Sequence, residues 1–272
     1  MSNFAKRSDQ LLIEDLVLAG FCGNDNGVYG VALEAASRSK EYVVGRLIRE
    51  ICKPTRSSRE RLRMMSAIET LGGTMAPDQL AVLARIRWDD GENRDLRIRA
   101  NAVLEMAARH GVDVPNALEA ANAAVPQTNE HDAGCDVRND LDDLTTLRLI
   151  ATALARYQRG EVAELAVEVA RRSRRAVNYF HWELVRGRHS AAQRARLLDA
   201  ITKLGGISSE SHYVDLQMVR LREKGPTAPR VMAEKLLNDG ARFAPADQAA
   251  LLKAMHRRGE QFAQRRRRAR RS

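Results

Sequence analysis

"RLRMMSAIETLGG" at residues 61–73 returns as "RARLLDAITKLGG" at 194–206. Seven of the thirteen positions are identical, and both methionines of the first copy are leucines in the second. Each copy carries its own start signal. Ser57 and Glu60 form a Ser-x-x-Glu box, and Ser190 and Gln193 form Ser-x-x-Gln at the same offset. Such side chains can satisfy the orphan N–H groups where a helix begins. Each copy also ends on Gly-Gly, and glycine takes the left-handed conformation that closes a helix. The stretch predicts one helix of about four turns, used at 58–72 and again at 191–205.

The match extends on both sides. "ALEAASRS" at 32–39 pairs with "AVEVARRS" at 166–173. Arg97, Ala100 and Leu104 pair with Arg230, Ala233 and Leu237, and Ala117, Leu118 and Ala121 pair with Ala250, Leu251 and Ala254. Four collinear matches at an offset of 133 or 134 predict an internal two-fold duplication. A shorter period of 36 separates "RLRMMSAIE" (61–69) from "RIRANAVLE" (97–105), a length that holds two helices and two turns. The expected helices are 9–19, 27–37, 40–52, 58–72, 77–87, 93–109 and 114–124 in the first half. In the second they are 140–157, 161–171, 174–186, 191–205, 210–223, 228–238 and 246 to about 263. The expected organisation is an N-terminal half (1–124), a connecting loop (125–139), a C-terminal half (140–256) and a basic, disordered arm (257–272).

Composition agrees with an all-α chain. Ala, Leu, Arg and Glu dominate, all good helix formers, and aromatics are only 4% of the 272 residues. Runs alternating Val, Ile, Thr and Tyr are missing. No apolar run approaches the roughly 20 residues of a membrane span, and Glu14 and Asp15 interrupt the best N-terminal candidate. Cys22, Cys52 and Cys135 are odd in number and scattered, which suits reduced thiols in a cytoplasmic protein.

Helical hairpins of this length, each too small to bury its own apolar face, imply an α-solenoid of about 13–14 helices. On "RIRANAVLEMAARHG" (97–111) and "RLRMMSAIETLGG" the chain resembles bacterial HEAT repeats, whose units carry an Arg, spaced small apolar residues and a Leu-Gly ending. The resemblance covers about residues 25–255. It implies an extended surface offered to a partner. The helix-A proline and the Asp–Arg ladder of the family are not clear in every unit.

Signals for chemistry are sparse. There is no glycine-rich phosphate loop and no Gly-x-Ser-x-Gly elbow. His131 and Cys135, in "HDAGC", would need distant ligands such as His110 or Cys22 to make a zinc site, and they read as polar loop residues. "NDLDD" (139–143) lacks the spacing and glycine of an EF-hand loop and reads as acids at a helix start. No metal and no cofactor is expected.

Charge is more informative. The net +10 is concentrated in two C-terminal stretches, 171–196 and 257–272, each with eight arginines against one glutamate. The remainder is mildly acidic. On a helix over 174–186, Val177, Phe180 and Leu184 face the core. Arg175, Tyr179, Trp182 and Arg186 share the other side, a mixture suited to phosphate contact and base stacking. The competing reading packs Tyr179 and Trp182 against a neighbouring helix. Arg171 and Arg172 extend the patch. The arm adds Arg265, Arg266, Arg267, Arg268, Arg270 and Arg271, which can displace counterions from phosphates.

The expected function is a non-catalytic scaffold or adaptor. Its solenoid takes a protein partner, and its arm and patch take nucleic acid or another polyanion, with no membrane involved. The alternative is an enzyme: the resemblance includes the HEAT-like DNA glycosylases that act on alkylated bases, with Trp88, Asp89, Asp90 and Trp182 as the residues on offer.

Overall fold

The computed structural model describes residues 8–115, 141–186 and 189–269, the last five of these by backbone alone. Every regular element among the described residues is helical. The chain divides into two compact units, residues 10–139 and residues 140–272 together with 1–9.

The N-terminal unit contains α1 (Asp9–Cys22), α2 (Asn26–Ala36), α3 (Lys40–Ile51), α4 (Ser58–Thr70), α5 (Pro77–Trp88) and α6 (Arg94–Arg109). Local chemistry sets the starts. The Asp25 carboxylate accepts from the Gly27 and Val28 N–H groups, Asn93 does the same for Asp95 and Leu96, and Pro77 opens α5, where a missing N–H costs nothing. α4 begins with a complete capping box between Ser57 and Glu60. It ends in a Schellman motif: Gly73 N–H donates to Ile68 C=O at 2.8 Å and Gly72 N–H to Glu69 C=O at 3.0 Å, with φ +70° at Gly73 and +86° at Gly72. Alternate helices pack side by side, α3 on α5 and α4 on α6, while α3–α4 and α5–α6 pack as hairpins. Phe21, Leu47, Met64, Met65, Ile68, Leu80 and Leu83 are fully buried between them. One charge cluster lies within this packing. Arg46 forks onto Glu14, at 2.7 Å, and Asp15, so the nearly buried Glu14 carboxylate is paired.

The C-terminal unit contains α7 (Leu144–Arg156), α8 (Glu161–Arg172), α9 (Ala176–Arg186), α10 (Ala191–Lys203), α11 (Glu210–Arg222), α12 (Ala228–Asp239) and α13 (Gln248–Ala269). α10 packs on α12, α9 on α7 and α11, and α11 on α13. α10 has the second capping box, Ser190 with Gln193, and closes through Gly206 N–H to Ile201 C=O at 2.9 Å.

Two helix bounds differ from expectation, and the ends of α4 and α10 are less buried than their interiors. α7 starts at Leu144 rather than 140, because the Asp143 carboxylate caps it by accepting from Thr145 and Thr146 N–H. Leu71 and Leu204 are only half-buried, whereas Ile68 and Ile201 are fully enclosed. Both leucines are cap residues one position past the helix, where the chain turns off the packed face. α13 continues to Ala269, past the expected end near 263. Arginine is a good helix former, and adding a residue to an existing helix costs far less than starting one. The expected helix 114–124 lies mostly outside the described residues.

Candidate functional site

The residues singled out on 171–186 do not form one exposed patch. α8 and α9 carry them, and nearby carboxylates meet most of the arginines. Arg171 Nη1 lies 2.6 Å from Glu168 Oε2, and Arg172 Nε lies 3.4 Å from Glu168 Oε1. Arg186 Nη1 lies 3.0 Å from Glu183 Oε1, and its guanidinium carbon is 4.2 Å from the centre of the Trp182 ring. Of Arg171, Arg172, Arg175 and Arg186, only Arg175 has no carboxylate ion-pair partner among the described residues. Its Nη1 donates a long 3.4 Å hydrogen bond to the Asp142 carbonyl.

Tyr179 is buried rather than displayed, in line with the reading that packs it away. Its hydroxyl donates to Glu183 Oε1 at 3.0 Å, and its ring centre lies 5.4 Å from that of Trp182. α9 is packed by α7, α8, α10 and α11, so it has little open side. Trp182 is therefore covered by Arg186 and Tyr179, and its indole N–H is buried without an acceptor among the described residues. Burial alone would raise the Glu183 carboxyl. The surrounding His189, Arg186 and Tyr179 instead hold it below the usual carboxylate value. The Tyr179 phenol is pushed up, by burial first and then by Glu183.

Arg175, Tyr179 and Trp182 nevertheless line one cleft. It measures about 420 Å³ and is completed by Asp142 just before α7, Leu144 and Leu147 of α7, Asn178 of α9, Ser211 and His212 of α11 and Arg258 of α13. Arg171 belongs to a separate groove of about 770 Å³, with Arg159, Arg196 and Lys203 beside Glu164, Glu168 and Asp199.

Behind the cleft is a polar cluster that the sequence did not announce. His181 is fully buried and stacks on His212 with ring centres 4.0 Å apart and planes 5° from parallel. His212 Nε2 lies 2.5 Å from Asn178 Oδ1, which can only accept, so Nε2 carries the proton. Its Nδ1 then accepts from the Ser208 N–H at 3.4 Å. Neither ring nitrogen of His181 has a hydrogen-bond partner among the described residues. Burial pushes His212 down to about 4, helped by the Arg258 charge, and pushes His181 well below its ordinary value. Next to this stack, Arg258 of α13 grips the fully buried Asp215 of α11 with Nε to Oδ1 at 2.8 Å and Nη2 to Oδ2 at 2.6 Å.

The backbone of α13 then carries Arg265, Arg266, Arg267 and Arg268, whereas Arg270 and Arg271 lie outside the described residues. His131 and Cys135 also lie outside them. Among the described residues no group of three or more His, Cys, Asp or Glu could hold a metal ion. The acids of 139–143 that are described serve structure. Asp143 caps α7, and Asp142 accepts from Ser173 Oγ at 2.7 Å and from the Arg175 N–H at 3.1 Å. No described helix is long and apolar enough to cross a membrane. No family model, curated protein or solved structure matches the chain.

Proposed function

We propose that this chain is a duplicated, HEAT-like helical-repeat scaffold, cytoplasmic and non-catalytic, that displays a basic C-terminal helix to nucleic acid and offers its helical surface to a protein partner. Contacts at matching offsets support the duplication. Arg61 bridges to Glu92, and Arg194 bridges to Glu223. Arg63 Nε donates to the Phe21 carbonyl at 3.0 Å, and Arg196 Nη1 donates to the Ala155 carbonyl at 3.1 Å. A methyl group on Gly73 would meet Val103, and one on Gly206 would meet Leu236, so glycine permits the same close approach twice. Thr74 bonds Gln79, and Ser208 bonds His212. These pairs recur at offsets of 131 to 134, although the side chains between them have diverged.

The observation that carries the binding role is the Arg258–Asp215 fork. It fastens α13 to α11, and α13 runs eleven residues further, about 16 Å of helix. The arginines there are held along an anchored helix rather than on a loose tail. Their role is electrostatic: each phosphate they neutralise releases counterions. The glycosylase alternative has less behind it. Asp89 accepts from the Gly91 N–H in an exposed turn, and Asp90 pairs with Arg97 at 3.2 Å.

The test is the salt dependence of binding to duplex and single-stranded oligonucleotides. Four to six phosphate contacts give a slope of log K against log salt of about −4 to −5 on duplex DNA. Truncation after Gln264 keeps the Arg258 anchor and removes Arg265 through Ser272. It should flatten the slope and weaken binding alike on unrelated sequences. No salt-dependent binding by the full chain at low ionic strength would refute the nucleic-acid role.

A further inference from the structure

The geometry points to the cleft between α7, α9, α11 and α13 as a binding site for a nucleoside monophosphate, free or at the end of a strand. This rests on the nucleic-acid reading but concerns a place distinct from the α13 arginines. The cleft's volume, about 420 Å³, lies in the lower part of the range for small-molecule sites and suits a ligand of that size. Its lining mixes two chemistries. The apolar part is Leu147, the ring of Trp182, and Leu144, which is 64% exposed. The polar part is Arg175, Asn178, Ser211, His212 and Arg258, with the Asp142 carboxylate among them.

Arg175 is the decisive residue. The other patch arginines named above are met by Glu168 or Glu183, and Arg258 by Asp215. Arg175 alone among them has a guanidinium in no carboxylate ion pair among the described residues, although the Asp142 carboxylate, which lines the same cleft, accepts its backbone N–H at 3.1 Å. A guanidinium in that setting binds phosphate with paired N–H groups. The first turns of α7, α9 and α11 border the same cleft and add positive potential, although Asp142 and Asp143 offset part of it. An inorganic anion would leave the apolar part wet, and an uncharged apolar molecule would leave Arg175 unused. A flat base with one phosphate uses both parts. Because Arg186 and Tyr179 already cover Trp182, the base lies along Leu144, Leu147 and the exposed part of the indole rather than sandwiched on the ring face.

The probe is AMP, followed by Trp182 fluorescence in a Trp88→Phe background, which leaves one indole in the chain. AMP should give a saturable change. Adenosine and inorganic phosphate should each bind at least about tenfold more weakly, as expected when one charge-assisted contact or the apolar contact is lost. Arg175 is exposed, so Arg175→Gln should fold normally. It should weaken AMP about tenfold or more while leaving adenosine unchanged. A 5′-phosphorylated oligoadenylate that competes with AMP assigns the strand end as a source, and one that does not assigns the free nucleotide. No saturable response to AMP at millimolar concentration, or equal AMP affinity for Arg175→Gln and the parent, overturns the inference. Persistent salt-dependent DNA binding by the full chain in that event leaves the α13 reading standing.

Discussion

Arg258 and Asp215 lie 43 positions apart in the sequence and form a two-point ion pair between α13 and α11. Asp215 is fully buried, so burial pushes its carboxyl upward while the Arg258 fork opposes that shift. Removing one partner of such a pair leaves an uncompensated buried group. Arg258→Ala should therefore cost about 3–5 kcal/mol in chemical denaturation. A cost below about 1 kcal/mol would show that the fork does not hold α13. The stacked histidines predict a pH dependence. Both have folded-state values below the ordinary 6.5, His212 at about 4 and His181 well below 6.5, so folding favours their neutral forms. That stability is complete above about pH 6.5 and is lost as pH falls toward 4. The thermal midpoint should decline through this window, before the paired carboxylates Glu50, Glu60 and Glu183, which sit below 4.5, begin to protonate. His181→Phe should flatten the decline. An unchanged profile in that variant would assign the acid sensitivity elsewhere.

At the scale of single elements, what could be read in advance was what is written locally. Ser57 with Glu60, and Ser190 with Gln193, are three residues apart and mark helix starts without any tertiary information. Gly72-Gly73 and Gly205-Gly206 mark the ends in the same way. The fate of the arginine patch was half legible. Glu168 precedes Arg171 by three residues and Arg172 by four, and Glu183 precedes Arg186 by three, the spacings at which helical side chains meet. A charge count beginning at Arg171 omits Glu168 and overstates the free charge. The burial of Tyr179 and the cleft around Arg175 had no such local sign, because α7, α11 and α13 supply the other walls. The α4 helix gives a test on two neighbouring apolar positions. Ile68→Ala should cost about 2–5 kcal/mol. Leu71→Ala, on the half-buried cap, should cost clearly less. Equal costs in urea unfolding would mean that the cap leucine is as deeply packed as Ile68.

At the scale of the whole molecule, the proposed duplication would use one helical plan twice. Salt-bridge partners, carbonyl-seeking arginines and glycine approaches recur at nearly constant offsets, and His212 stands at the matching offset from Gln79. The C-terminal unit also holds the His181–His212 stack, the Asp215–Arg258 pair and a last helix that continues to Ala269. Crystallography of the full chain, with residues 57–109 superposed on 190–242, is the measurement that decides this. The account predicts the same helix order in both, with Arg61 on Arg194, Glu92 on Glu223 and Gly73 on Gly206. Halves of different topology, or those three pairs falling several residues out of register, would contradict it.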